Sequence, residues 1–296
     1  MIVQSGFFCK FAQLVLQQQT LMILIADSGS TKTAWAVVEN PDNVIKTNGI
    51  NPIFMDSVQI ENTLRTQLVP NIAETITEVY FYGAGCANEE KIKVVKTAIQ
   101  SVFGDIKVEI ASDLLGAARG LCGHKSGIAC ILGTGSNSCF YENGNISWNV
   151  PALGFILGDE GSGAVLGKLL MGNIFKNQLP EAVKEDFVQT YGYNMMDVIE
   201  KVYRQPLPNR FLASFGPFIS KHIAVPEMYD MVYGALESFI VRNVKQYPTE
   251  SYPVNFTGSI AYYFSDILKE LSEKHNLRIG CIAQDPLEGL IKYHKN

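Results

Sequence analysis

The sequence predicts an α/β fold of two similar lobes facing each other across a cleft, and three observations carry that prediction. An apolar run (Met22–Ala26), a small hydroxylated tip (Asp27–Thr33) and a second apolar run (Ala34–Val38) form a hairpin. The same strand, Gly/Ser/Thr tip and strand return at 127–141. Around the two hairpins, short apolar strands alternate with segments of helical periodicity. A repeat at domain length argues for two like halves, and strand–helix alternation for a largely parallel sheet in each.

The whole chain sets bounds on these lobes. Its 296 residues suit two domains with packed cores. Net charge is −5, without a basic cluster or basic–aromatic interleaving, so neither nucleic acid nor anionic membrane is an expected partner. The six cysteines (9, 86, 122, 130, 139 and 281) include no Cys-x-x-Cys pair, and several sit in apolar runs, as in a reducing cytoplasm. The four histidines never come at metal-ligand spacing, which argues against structural zinc. Residues 1–21 look foreign to the rest of the chain, and Met22 opens the first strand directly. They read as an upstream mis-start or a disordered tail, without the cleavage site of a signal peptide. Nothing else approaches membrane-span length. The expected division is a leader 1–21, a first lobe 22–121 and a second lobe 122–296 carrying a helical insertion.

After the first hairpin, 43–47 predicts a third strand, 57–68 a helix, and Val79–Tyr82 a strand ending in Gly83-Ala84-Gly85. Asn88 caps a helix with Glu89 and Glu90 in its first turn and Ile92, Val95, Ile99 and Val102 on one face. A strand over 107–111 and a helix from Ser112-Asp113 to Leu121 come next. Three strands and then α, β, α, β, α is the order of a ribonuclease-H-like domain. The order then restarts with strand 127–132, tip Gly133–Asn137, strand 138–141 and an Asn143-Gly144 turn. Beyond it, 161–171, 181–191, 195–203, 210–222 and 227–244 carry helical periodicity. A last strand, 252–256, ends in Thr257-Gly258-Ser259, and helices over 259–274 and 287–293 close the chain. The expected hinge is 120–125.

Five small-residue loops thus stand at strand ends: 27–33, 49–52, 111–113, 133–137 and 257–259. Ligands of α/β sheets bind beyond the carboxyl ends of strands, so two facing lobes would gather these loops into one cleft. In the first tip, Gly29 permits a tight turn, Thr31 and Thr33 add hydroxyls, and Lys32 adds a charge suited to phosphate. Asp27 ends a strand where it can hold Mg²⁺ directly or through water. A plain hairpin with a capping Asp fits the same residues. It is not a Walker A loop, because Thr31 and Ala26 stand where that motif needs glycine and a strand comes next instead of a helix. Asp113 is either a helix N-cap or a base taking the proton of a hydroxyl that attacks a γ-phosphate. Asp159 and Glu160, adjacent carboxylates between glycines, suit sugar hydroxyls or a metal, with an acidic surface turn as the alternative.

Asp27, Gly29, Thr31 and Thr33 match the Asp-x-Gly-x-Thr-x-Ser/Thr hairpin of the actin/hexokinase/Hsp70 superfamily. Together with Leu132–Asn137, Gly158-Asp159-Glu160-Gly161-Ser162 and Thr257-Gly258-Ser259-Ile260-Ala261, they resemble the BadF/BadG/BcrA/BcrD-type ATPase family. Within it, the chain is most similar to the N-acetylglucosamine kinase branch, in matching order from Met22 onward. The resemblance implies two ribonuclease-H-like (actin-like ATPase) lobes around a nucleotide/sugar cleft. It implies a cytoplasmic, homodimeric kinase that uses ATP and Mg²⁺ to phosphorylate an amino sugar, N-acetylglucosamine at its 6-hydroxyl. Ser30, Thr31, Lys32, Thr134 and Gly135 would then meet the ATP phosphates, Gly258 the adenosine, and Asp27 the Mg²⁺. Asn51, Ser136, Asn137, Asp159 and the Ala152-Leu153-Gly154 loop would touch the sugar, with Asp113 as base. Ser112 departs from the Asn that usually precedes the base, and Ser28 and Ser30 occupy places that are often glycine.

Another class on the same fold is an ATP-driven activator that passes electrons to an acyl-CoA dehydratase or reductase. Its iron–sulfur cluster would need cysteine ligands, for which Cys122, Cys130 and Cys139 are the candidates. Two of them fall within strands of one hairpin. A sugar sensor would need no base, so Asp27, Asp113 and Asp159 argue against that role.

Overall fold

The computed structural model describes residues 22–29 and 31–295. The leader 1–21 and Ser30, an expected phosphate contact, lie outside the described residues. The first sheet holds β1 (Ile23–Ser28), β2 (Lys32–Val37), β3 (Asn40–Asn48), β4 (Glu78–Gly83) and β5 (Lys107–Ser112) in the order β3-β2-β1-β4-β5. The second holds β6 (Gly127–Leu132), β7 (Ser136–Glu142), β8 (Asn145–Val150), β9 (Val254–Thr257) and β10 (Ile279–Ala283) in the order β8-β7-β6-β9-β10. Strand for strand these are the same topology. In each sheet the first three strands form an antiparallel meander, and the last two run parallel to the first.

Central strands covered on both faces read as continuous apolar runs. Leu24, Ile25 and Ala26 of β1 are all fully buried, and so are Ile128, Ala129 and Cys130 of β6. Helices α1 (Ser57–Thr63) and α2 (Glu89–Phe103) cover one face of the first sheet through Ile60, Val95 and Ile99. Helix α3 (Asp113–Cys122) lies against Ala129, Cys139 and Tyr141 of the second sheet. The second lobe adds α4 (Gly154–Leu157), α5 (Gly163–Phe175), α6 (Glu181–Tyr191), α7 (Met195–Tyr203), α8 (Pro208–Ala213), α9 (Gly216–Lys221), α10 (Pro226–Arg242), α11 (Ser259–Tyr263), α12 (Ser265–Lys274) and α13 (Leu287–Lys295). Helix α13 returns to the first sheet, where Leu287, Leu290 and Ile291 pack on Ile25, Ala34, Ala36 and Tyr82. It crosses α3 at two glycines: a Cβ on Gly289 would fall 1.8 Å from the carbonyl oxygen of Gly120.

The sequence reading contains neither β8 nor β10. Both are edge strands, partly exposed along their length, so neither carries a buried run of its own. Pairing with β7 and β9 makes them strands. The helix expected over 210–222 divides into α8 and α9, because Pro217 has no N–H to offer Ala213. The helix expected over 259–274 breaks at Phe264, where φ −110° and ψ 30° leave the helical region. The 57–68 helix passes after Thr63 into a π-helical turn, Leu64–Leu68.

Candidate active site

Ser28, Gly83 and Ser112 stand in register across β1, β4 and β5. The first hairpin tip, the Gly83–Gly85 loop and the start of α3 therefore share one sheet edge. In the second lobe, Ile131, Thr257 and Ala283 align in the same way across β6, β9 and β10. That edge carries the second tip, Gly258 and the loop to α13.

Asp113 is the first residue of α3, and it does not cap the helix. Ser112 does, its Oγ accepting the Leu115 N–H at 3.2 Å. The departure from Asn at 112 thus preserves a cap, since Ser and Asn serve equally well there. Asp113 accepts the Leu114 N–H through Oδ1 at 2.9 Å. Burial raises its pKa, and the N–H groups of Leu114 and Asp113 offset part of the rise. Asp27 is pushed up to about 7 by burial and then by the charges of Asp285 and Asp113, against which Lys32 acts. No described residue donates a hydrogen bond to its carboxylate. Thr31 and Lys32 are exposed at the tip. Thr33 is not: expected to offer its hydroxyl there, it is fully buried and points into the fold.

Asp285 is absent from the sequence reading. It follows β10 as Asp113 follows β5, and it opens α13 by accepting the Leu287 N–H at 3.2 Å. The signal that could reveal it is the internal repeat carried to its last strand, which the half-exposed β10 conceals.

Asn51 is buried at 5% exposure, with Oδ1 accepting the Ile53 N–H at 2.9 Å. Its amide Nδ2 donates to no described residue.

In the second lobe the tip is held from behind by a helix N-terminus. Ser162 caps α5, Gly163 N–H donates to the Gly133 carbonyl at 2.8 Å, and Ala164 N–H to that of Thr134 at 3.1 Å. The N–H groups of Thr134 and Gly135 find no acceptor among the described residues and are open to an anion. Gly258 has φ +108°, and a Cβ there would lie 2.3 Å from the Leu132 carbonyl oxygen, so its backbone rests directly on the tip. Asp159, held at φ +53°, donates its N–H to the Ala152 carbonyl at 2.9 Å. Its carboxylate lies against Gly135, where a Cβ would come within 3.0 Å of Oδ2. Burial pushes its pKa up to about 6, the Ser136 N–H works against that, and Glu160 adds to it. Leu153 and Gly154 follow at positive φ, with Leu153 exposed. Ser136 is buried, and Asn137 Oδ1 accepts from Ser138 N–H and Asn149 Nδ2. Glu160 turns away from Asp159 to pair with Arg242 at 2.7 Å.

The expected residues thus form two groups. Asp27, Asp113 and Asn51 belong to the first lobe; Thr134, Gly135, Ser136, Asp159, Ala152 and Gly258 interlock in the second. No hydrogen bond joins the groups among the described residues. A cavity of about 230 Å³ lies beside Ala152, Leu153 and Gly158. A larger groove of about 540 Å³ runs between α5 and α10, but it reaches neither Asp113 nor either tip. Cys130 and Cys139 are fully buried in the β6–β7 hairpin, with the Cys139 thiol pushed up to about 12 by burial, which suits core packing and not cluster ligation.

No family model and no curated protein matches the sequence. Solved structures do. A putative N-acetylglucosamine kinase from Porphyromonas gingivalis is 47% identical, covers 92% of this chain and 98% of its own, and superposes with a TM-score of 0.88. A second putative N-acetylglucosamine kinase, from Chromobacterium violaceum, is 17% identical over 92% of this chain and 99% of its own, with a TM-score of 0.71. A ROK family glucokinase from Streptomyces griseus, in complex with glucose and AMPPNP, is 14% identical over 93% and 98%, with a TM-score of 0.57. The latter two establish the two-lobed fold alone.

Proposed function

Because the chain belongs to the N-acetylglucosamine kinase-like branch of the BadF/BadG/BcrA/BcrD-type ATPase family, we propose that it phosphorylates N-acetylglucosamine at the 6-hydroxyl with ATP. It is a phosphotransferase with an alcohol acceptor. The 47% identity to the Porphyromonas protein, over nearly the whole of both chains, carries the substrate reading.

In this reading Asp113 accepts the proton of the sugar hydroxyl as its oxygen attacks the γ-phosphorus. The bond to the β-phosphate oxygen breaks, and ADP leaves. Thr134 and Gly135 supply N–H groups to the phosphates, with Thr31 and Lys32 meeting them from the first tip and Gly258 beneath the adenosine. Asn51, Asp159, Ser136, Asn137 and the 152–154 loop orient the sugar. The raised pKa of Asp27, beside two further carboxylates and without a hydrogen-bond donor among the described residues, fits a residue whose charge a divalent cation would balance. Asp27 would hold Mg²⁺, which when bound neutralises phosphate charge. Among the described residues no three His, Cys, Asp or Glu side chains could hold a metal ion together. Most of its ligands would therefore be water and phosphate oxygens.

The lobes, 22–121 and 122–296 with α13 reaching back, would close on the sugar about 120–125 and exclude water. Cytoplasmic location and a homodimer accompany the reading; among the described residues no helix is long and apolar enough to cross a membrane. The test is an ATP-consumption panel over N-acetylglucosamine, glucosamine, N-acetylmuramic acid and glucose. Turnover should be greatest with N-acetylglucosamine and yield the 6-phosphate. Consumption indifferent to added sugar would defeat the proposal.

A further inference from the structure

Two buried hydroxyls tie the nucleotide hairpin to the acceptor loop. Ser28 and Thr33 face each other across the β1–β2 pair, both with 0% exposure and their oxygens 2.6 Å apart. Ile50, also fully buried, is gripped at both backbone groups. Its N–H donates to Ser28 Oγ at 3.1 Å and to Thr33 Oγ1 at 3.2 Å. Its carbonyl accepts from Ser28 Oγ at 2.9 Å. Thr33 Oγ1 reaches the Asn48 carbonyl at 3.2 Å, and the Ser28 carbonyl accepts the Ala84 N–H at 2.9 Å. Ser28 is therefore the point where the hairpin, the 48–51 segment and the Gly83–Gly85 loop meet.

The protons balance. Each hydroxyl has one to give, and each oxygen can still accept. With the Ser28 proton on the Ile50 carbonyl, the Thr33 proton serves Ser28 Oγ or the Asn48 carbonyl. Both oxygens remain acceptors for the Ile50 N–H. Ile50 lies outside the strand ladders, so these are the bonds that satisfy its buried backbone. The next residue is Asn51, wedged so closely over Gly85 that a Cβ there would lie 2.3 Å from its Oδ1. Its Oδ1 is occupied by Ile53, which leaves Nδ2 for a ligand.

We propose that Ser28 and Thr33 are positioning residues: their hydroxyls fix Ile50, and through it hold Asn51 where it meets the acceptor sugar. This deepens the kinase reading and rests on it. Glycine or alanine at 28 would leave the Ile50 carbonyl buried without a partner. The loop would have to shift to find one, carrying Asn51 with it.

The experiment compares Ser28→Ala, Thr33→Val, Thr33→Ser and the Ala/Val double variant in steady-state kinetics with N-acetylglucosamine and ATP. Amide exchange over 48–55 is followed in parallel, without ligands. Ser28→Ala should raise the sugar KM about tenfold, the scale of one lost buried hydrogen bond, while the ATP KM stays within about twofold. Thr33→Val should cost less, about threefold, because Ser28 still holds Ile50. The double variant should fall short of the product of the two, since both hydroxyls serve one amide. Thr33→Ser keeps the hydroxyl and should match the parent. Exchange over 48–55 should quicken about tenfold in Ser28→Ala and not in Thr33→Ser. Unchanged sugar KM with a lowered melting temperature, or equal rises in both KM values, would overturn the proposal. If the parent phosphorylates no amino sugar, the kinase reading fails separately. Exchange then decides whether the hydroxyls hold the loop, and unchanged exchange overturns the proposal.

Discussion

Ser112 Oγ accepts the Leu115 N–H at 3.2 Å, and that bond releases Asp113, the next residue, from capping α3. The Asp113 carboxylate, buried at a strand-to-helix junction, accepts the Leu114 N–H, which Asn can accept as well, so Asn can replace it without loosening the helix. Asp113→Asn should lower kcat by roughly 10²–10⁴-fold, the ordinary worth of general-base catalysis. Sugar and ATP affinities should change far less, and the melting temperature should not fall; because burial raises the Asp113 pKa, the neutral Asn should if anything raise it at neutral pH. Near-normal kcat would remove Asp113 from the base role and leave Asp159 as the next candidate.

Asp159 offers a pH signature. Its folded pKa, about 6, lies above the ordinary 3.8. Between those values the folded state holds the proton more firmly than the unfolded state, so this residue's contribution to stability is lost as pH rises through 6. Asp159→Asn carries no such loss. Its melting temperature should match the parent near pH 4, exceed it increasingly toward pH 6, and keep the lead above. The same variant should bind sugar more weakly. Calorimetry across pH 4–8 checks the trend, and a parent that gains on the variant as pH rises would contradict it.

His294 should act in the opposite sense. Arg119 Nη1 donates to Tyr82 Oη at 2.8 Å, and His294 Nε2 lies 2.8 Å from the same oxygen. Burial, followed by the Arg119 charge, lowers the His294 pKa from 6.5 to about 4. Stability from this group is present above 6.5 and lost as pH falls through 4, because the unfolded chain takes up the proton first. His294→Gln should therefore lose less stability than the parent between pH 6.5 and 4 in urea titrations. Equal losses would show that α13 docking does not depend on this proton.

Gly258 sits at φ +108° with the Leu132 carbonyl in the place of a side chain. Gly258→Ala combines backbone strain, of order 1–3 kcal/mol, with displacement of the second tip. A lower melting temperature and a raised ATP KM should appear together, with the sugar KM less affected. An unaffected ATP KM would separate Gly258 from the nucleotide.

The two hairpins, the glycine–hydroxyl tips and the strand-end loops were legible in the sequence because each is a local event. Glycine, hydroxyl and β-branched preferences act over a few residues, and the repeat at 127–141 shows them twice. Asp113 and Asp159 stand out in the sequence for the same reason, as acidic residues in loops that lead into helices. Tertiary structure decided what depends on residues far apart in the chain. Edge strands β8 and β10 have no buried run to announce them and exist through their neighbours. Asp285 reaches the neighbourhood of Asp27 only because α13, which it opens, docks on the first sheet. The Thr33 side chain could have faced ligand or core, and the inward register of β2 sends it to Ser28 and Ile50. A strand's two faces differ only in what packs against them, and that is settled when the chain folds.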